Sequence, residues 1–567
     1  MFIRRIKRAN GQVGIALVEG YRLNGKVKQR TIKYLGTESE LTKDNPNAIN
    51  ELIEKYKNID KKETFINLSL ALSEKIPNVN TIRNYGYFWL DKFYSELGLY
   101  QLCDSIKSNH SFEYDLNEAL KLLVFMRTLN PCSKLATKEN GSDYFIENFN
   151  IKLEEIYKAL TILNEHKSDF ISSIHKCLCE KYERKTDILY YDVTNYFFEI
   201  DEADDFRKKG CSKEHRPLPI VQMGLFIDNK GLPLDYALYE GNTPDCRTLT
   251  SSFEQIKEQF HTDKVIITAD KGLNSGSNIG YILSKKNGYI VSQKIRGGSK
   301  LLVNEVLKDE DWLSFDDGAY KLKEFIRKIN VTYPDGSKHE HEEKVVCIWS
   351  RKYQIKEKSE RDNLLDKIAV LADNPTKFKQ SCHLGMKKYI DETTVKKDTG
   401  EKANDVKIKT SLNLDKISKD EALDGYYLIV SSEIELSASE IISKYRGLWK
   451  IEQSFRVTKS DLRGRPVFVR TRDHINAHFL TCFISLTILR MIEIRLRNEY
   501  SSKRIIDALI SASASEMSKG IYSLNCRDEI MSKLEECYEI KLENRYIKEE
   551  MMHKLHQEII KSVYTTV

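Results

Sequence analysis

At Asp187 the hydrophobic period of the chain changes from that of helices to that of strands, and the order of the segments that follow leaves few folds open. The run ILYYDVTNYFF (188–198) reads as a strand, PIVQMGLFID (219–228) as a second and LPLDYALYEG (232–241) as a third. The turn residues Asp228, Asn229, Lys230 and Gly231 join the last two. A helical stretch over 244–260 then leads into a fourth strand, KVIITAD (264–270). Three hairpin-linked strands, a crossover helix and a fourth strand are the order in which a ribonuclease-H-like α/β (α+β) core begins.

Acidic residues fall at telling places in that order. Asp192 lies inside the first strand between Tyr191 and Val193, where a charge is tolerated in a central strand only if it is paired or metal-bound. Asp270 closes the fourth strand, within reach of the first if the two are neighbours. A third acid comes from SASEIISKYRGLWKIEQSFRVTK (437–459), which reads as one helix. Ser437 and Glu440 form a capping box at its start, and Gly464 and Pro466 mark its stop. Tyr445, Leu448, Glu452, Arg456 and Lys459 recur at steps of three or four and share a face, with Glu452 set among Ile441, Leu448, Ile451 and Phe455. Alone, Glu452 would read as a surface partner of Arg456 or Lys459, and each Asp as a cap or turn residue. Together, Asp192, Asp270 and Glu452 supply three carboxylates suited to two Mg²⁺ ions, or Mn²⁺ in their place, for phosphodiester chemistry. No His or Cys cluster suits zinc.

The chain's 567 residues exceed one core, and 41% hydrophobic residues with 10% aromatics are ample for packed cores. A net charge of +6 decides little, but its distribution does. Arg4, Arg5, Lys7, Arg8 and further cations crowd the first 36 residues against the single acid Glu19. Asn10-Gly11 and Asn24-Gly25 fall between runs of strand formers, so a basic three-stranded meander is expected, either a DNA-binding ribbon or a solvated basic face. With a connector helix at 48–56 it makes a first region, 1–80. A helical module (81–182), the first part of the core (183–290), a β-rich insertion (291–430), the second part of the core (431–495) and a helical C-terminal region (496–567) follow. The eleven cysteines show no zinc-knuckle spacing, which favours a reduced, cytoplasmic setting. The N-terminus lacks an apolar signal core, and the most apolar run, 479–489, is too short for a membrane span. After the helix, Arg463, Arg465, Arg470 and Arg472 form a basic run suited to phosphates.

The motifs YYDVTN, GCSKEHRPLPIVQMGL, YEGNTPD, ITADKGLNS and YRGLWKIEQSFRVTKS together resemble the DDE transposases of bacterial insertion sequences, in the branch with a Tyr-Arg-Glu-Lys signature helix. The resemblance covers most of the chain and implies that Asp192, Asp270 and Glu452 are the catalytic and metal-binding triad. It implies that Tyr445 and Lys459 handle DNA phosphates near the cut. The signature's Arg position holds Leu448 here, with Arg446 and Lys450 as neighbouring stand-ins. The implied partners are terminal inverted repeats, target DNA and a second copy of the chain, in the bacterial nucleoid with no membrane. The insertion would cover the active site and contact the DNA end, with Trp312 and Trp349 as base stackers or, more ordinarily, core residues. Two other readings stay open: a non-catalytic DNA-binding regulator descended from such an enzyme, and another nuclease of the same fold, such as a resolvase.

Overall fold

The computed structural model describes residues 2–7, 12–23, 26–43, 45–57, 81–210, 217–260, 264–372, 386, 388–396, 406–518 and 520–565. Arg8, both Asn-Gly pairs and most of GCSKEHRP lie outside them. The chain divides into two compact units, residues 1–76 and 77–567.

The first unit is an antiparallel sheet of β1 (Phe2–Lys7), β2 (Val13–Leu23) and β3 (Lys26–Thr37), with α1 (Glu38–Leu41) and α2 (Ala48–Lys57). Ile15, Leu17 and Val18 of β2 are buried, while Arg4, Arg5 and Lys7 of the edge strand stay exposed. The Thr37 hydroxyl accepts from the Glu40 amide, and the Glu40 carboxylate accepts from the Thr37 amide, so a capping box turns the sheet into α1. Arg5 pairs with Glu38 at 2.9 Å, and Arg4 donates to Gln29 at 2.9 Å.

The second unit opens with β4 (Ile82–Asn84) and the helices α3 (Tyr87–Glu96), α4 (Leu99–Ser108), α5 (Leu116–Leu129), α6 (Lys134–Tyr144), α7 (Leu153–Glu165) and α8 (Lys167–Tyr182). Then come β5 (Ile188–Phe197), β6 (Ile220–Asp228), β7 (Pro233–Glu240), α9 (Thr248–Phe260), β8 (Ile266–Ala269), α10 (Gly276–Ser284) and β9 (Gly288–Gln293). In the sheet they lie in the order β7-β6-β5-β8-β9, with β5 antiparallel to β6 and parallel to β8. This is the ribonuclease-H-like core expected from the sequence. Both faces of β5 are covered, so every residue of the strand except Asp192 is buried. The turn between β6 and β7 closes on Gly231, whose φ of +86° is a conformation that side chains resist.

The stretch expected as a β-rich insertion extends this sheet. After α11 (Lys300–Leu307), the strands β10 (Leu313–Phe315), β11 (Tyr320–Thr332) and β12 (Lys338–Ser350) form an antiparallel run. The 22-residue α12 (Arg351–Ala372), a hairpin of β13 (Ile390–Lys396) and β14 (Val406–Leu412), and α13 (Leu414–Glu421) follow. Next, β15 (Tyr426–Ser431) bridges β12 to β9, so one nine-stranded sheet runs β10-β11-β12-β15-β9-β8-β5-β6-β7. The cause is an open edge on β9 that β15 fills with Leu428 and Val430, in one hydrophobic cluster with Leu189, Ile267 and Val291. Trp312 and Trp349 are committed structurally, their indoles donating to the carbonyls of Lys308 and Asp424.

Next come α14 (Ala438–Arg446), α15 (Trp449–Arg456), α16 (Arg472–Arg495) and α17 (Ser502–Ser511). The apolar run 479–489 belongs to α16, the one helix among the described residues long and apolar enough to cross a membrane; 94% of its apolar window is buried inside the protein. It is a core helix, packed on α5 and α7. The C-terminal region is mixed rather than helical. It holds β16 (Ser513–Ser518), β17 (Ile521–Leu524), α18 (Glu529–Cys537), β18 (Tyr546–Lys548) and α19 (Glu549–Lys561). The distant Ile82–Asn84 pairs with β16 to complete a sheet β18-β17-β16-β4.

α19 is latched to α3 through a buried imidazole. His556, stacked on Phe88 at 4.3 Å, places its Nε2 3.0 Å from Asp91 and its Nδ1 2.9 Å from Glu147. Lys121 meets Asp91 at 2.6 Å, and His553 lies 3.4 Å from Glu147. Burial works against the imidazolium, but the bonds and charges of Asp91 and Glu147 outweigh it and raise the His556 pKa. Burial likewise opposes the Glu147 carboxylate, yet His556, His553 and Lys121 pull its pKa down to about 2. A raised imidazole contributes stability fully below its ordinary value and loses it as pH rises through the folded value; a depressed carboxylate loses its share as pH falls toward about 2. His556→Ala is therefore expected to lower Tm more at pH 6 than at pH 9. Thermal melts of both proteins across that range check this, and a difference independent of pH contradicts it.

Candidate active site

Along β5, Tyr190, Asp192, Thr194 and Tyr196 alternate onto one face of the sheet, and Leu189, Tyr191 and Val193 onto the other, where α9 packs. The first face receives the segment 437–462. Its N-terminus is as the sequence indicates: the Ser437 hydroxyl accepts from the Glu440 amide, and the Glu440 carboxylate accepts from the Ser437 amide. The expected single helix is divided. It turns at Gly447 and Leu448 and, after α15, widens into a π-turn over Val457–Asp461. Gly447 lies so close to β5 that a Cβ there would sit 2.0 Å from the Tyr190 hydroxyl, so only glycine permits the approach. The π-turn fastens the segment further down the same strand. The Thr458 and Tyr196 hydroxyls bond at 2.8 Å, and the Lys459 ammonium donates to the Thr194 hydroxyl.

These elements surround a cavity of about 700 Å³ lined by Asp192, Asp270 and Glu452. Tyr191 pairs with Ala269 across the parallel strands, so Asp192 and Asp270 each follow that pair by one residue. Asp192 is half-buried. Asp270 is exposed just past β8, with one carboxylate oxygen accepting from Ser292 at 3.1 Å and from Tyr445 at 3.3 Å. Burial raises the Tyr445 pKa, and the Asp270 charge raises it further, which keeps the phenol a donor to that carboxylate. Glu452 is exposed rather than embedded, because Ile451 and Phe455 turn into the core and leave the carboxylate on the open side. Among the described residues no three His, Cys, Asp or Glu side chains stand close enough to hold a metal ion as a ready cluster. The all-oxygen donor set in the cavity nonetheless fits a hard divalent cation.

The predicted DNA-contacting residues separate. Tyr445 and Arg446 line the cavity. Lys450 points elsewhere, its ammonium donating to the Asn229 carbonyl at the β6–β7 turn and its pKa lowered by burial. Lys450 lies two residues before Glu452 in the same helix, about 160° around its axis, so it faces the opposite side. Arg456 is exposed, 3.8 Å from Asp461. Arg463 is exposed, and its carbonyl accepts from the buried Arg127. Arg465 lays its guanidinium over the Phe197 ring at 5.7 Å, with its pKa lowered by burial. Arg4, Arg5 and Lys7 belong to the other unit.

The cavity residues that escape the sequence reading include Lys352, Tyr353 and Lys356 at the start of α12, and Trp449, 56% exposed. The available signal for the lysines was their four-residue spacing on a long charged helix, and for Trp449 its place inside the signature. Behind α15 lies a buried support. Arg490 of α16 donates to Glu493 at 2.5 Å, to Ser454 at 3.1 Å and to Gln453 at 3.3 Å, and Ser502 donates to Glu493.

Comparison with known proteins gives the family. The transposase DDE domain matches residues 197–488, just over half of the chain; it encloses Asp270 and Glu452 and begins shortly after Asp192. The N-terminal domain of the IS1634 family of transposases matches residues 3–64. A search among curated proteins finds no match. Among solved structures, a cryo-EM synaptic complex of piggyBac transposase with hairpin DNA overlaps at a TM-score of 0.30 and 10% identity, covering 75% of this chain and 78% of that one. A paired-end complex of Mos1 transposase with the left transposon end overlaps at 0.14 and 9% identity, covering 32% and 60%. Both overlaps are too slight to carry an argument. The family matches carry it, and the chain belongs to the DDE transposases of insertion sequences.

Proposed function

We propose that the protein cuts DNA at the ends of its own insertion sequence and joins the freed 3′-hydroxyl to target DNA, with Asp192, Asp270 and Glu452 holding two Mg²⁺ ions. The observation that carries this reading is the meeting of three carboxylates from separate segments at one cavity. Members of the family depend on divalent metal, which when bound activates the attacking oxygen and stabilises the leaving one. The chain's own residues position and insulate. Asp192 is fixed by a strand covered on both faces, Asp270 by its bonds to Ser292 and Tyr445, and Glu452 by a helix fastened to β5 at Thr194 and Tyr196. Arg446 is a donor toward an incoming phosphate, Tyr445 steadies Asp270 beside it, and Trp449 offers an exposed ring. A second copy of the chain would hold the other end of the element.

The test is purified protein with linear DNA bearing the element's terminal repeats. Breaks at the repeat boundary with Mg²⁺, and none with EDTA, are expected. Specific binding without a metal-dependent break points instead to a regulator.

The basic meander is the second part of the proposal, as a grip on the terminal repeats. Replacing Arg4, Arg5 and Lys7 with Gln should reduce the slope of log K against log salt by about 0.9 for each duplex phosphate left without its cation. Arg5 is expected to contribute least, since it already pairs with Glu38. An unchanged slope in the triple variant excludes the meander as that grip.

A further inference from the structure

The cavity that gathers three acids is also lined by three cations, Arg446 at the end of α14 and Lys352 and Lys356 on α12. Divalent ions on the carboxylates serve the reacting phosphodiester, and side-chain cations on the cavity wall are what can seat the phosphates on either side of it. Leu448, at the position where the signature carries a cation, contributes an apolar wall. Lys450 is spent on the Asn229 carbonyl, and Lys459 on Thr194.

α12 is built to present its lysines rigidly. Glu357 accepts from Arg296 at 2.9 and 3.2 Å and from the Gly425 amide at 2.9 Å, and Arg361 meets both oxygens of Asp424 at 2.6 Å. Arg361 and Asp424 are buried. These bonds clamp one side of the helix to the turn that starts β15, whose Tyr427 and Ile429 also line the cavity. Lys352 and Lys356, one turn apart, share the adjoining side and are exposed. The Lys356 ammonium is 3.8 Å from Glu360, an exposed pair that exchanges readily for a phosphate.

We infer that Lys352 and Lys356 bind backbone phosphates of the DNA strand entering the carboxylate cavity and supply the positive charge that Leu448 does not. This rests on the cutting function proposed above. It assigns the phosphate grip of the reaction to a helix outside the signature segment.

The experiment uses the full chain and linear DNA bearing the element's ends. K352Q/K356Q is expected to keep the wild-type Tm, lower the salt slope by about 1.4 to 1.8, the sum for two phosphates, and slow cleavage about tenfold or more. Charge reversal in K352E/K356E lowers both further and disturbs no buried group. An unchanged slope and rate in K352Q/K356Q overturns the inference, and so does charge reversal no worse than the Gln pair. Wild-type protein that fails to cut with any divalent cation overturns the cutting function instead, while the salt slope still reads the lysines.

Discussion

Asp192→Asn, Asp270→Asn and Glu452→Gln are each expected to slow metal-dependent cleavage about 10³-fold or more, with DNA-end binding within a few-fold of wild type. The loss follows from removing one anionic ligand: divalent-ion stabilisation of the transition state amounts to several kcal/mol, and each 1.36 kcal/mol is tenfold in rate. Stability should not fall. Each change removes a negative charge from a cavity lined by two others, and Asn at 270 can still accept from Ser292 and Tyr445. Cleavage rates on end-bearing DNA at saturating Mg²⁺, alongside thermal melts, check this. A variant that keeps more than about a tenth of the rate would leave the ligand set.

Arg490→Met is expected to have the largest effect on stability, because it strands Glu493 without its charge partner inside the core. Removing one member of a buried pair costs about 3–5 kcal/mol. Both residues are about 5% exposed. The same guanidinium holds Gln453 and Ser454, the two residues after Glu452, so cleavage should fall with it. The double variant R490M/E493M separates the two roles. With no charge left buried it should regain most of the stability, while α15 stays unheld and cleavage stays slow. Urea midpoints and cleavage rates for the three proteins decide the point, and recovery of both in the double variant would show that Arg490 does not position Glu452.

Much of the core was legible because its signals are local. The strands β5 to β8 come from apolar runs with turn residues or a helix between them, and the sequence places their ends within a few residues. The capping box at Ser437 is legible for the same reason. What escaped depends on partners remote in sequence. β15 joining β9 is a pairing across more than a hundred residues, and β4 joining β16 crosses more than four hundred. Gly447 reads as a tolerated glycine until Tyr190 stands against it, and only then does the helix divide. The π-turn takes Lys459 to Thr194, and Lys450, about 160° around the helix from Glu452, reaches Asn229 on the other side. Helical spacing alone put Lys459 on the face of Glu452. Lys352 and Lys356 carry no motif; the clamp between Arg361 and Asp424 brings them to the cavity.

The central claim is that three segments far apart in sequence share one metal site, and cleavage of the protein's own backbone by bound iron tests it most directly. With Fe²⁺ replacing Mg²⁺ and with ascorbate and peroxide added, hydroxyl radicals form where the ion sits and cut the chain nearby. Fragments ending near Asp192, Asp270 and Glu452 together, suppressed by excess Mg²⁺ and lost in Asp192→Asn, are the result expected. Cuts confined to one of these segments, or clustered elsewhere in the chain, would contradict a shared site.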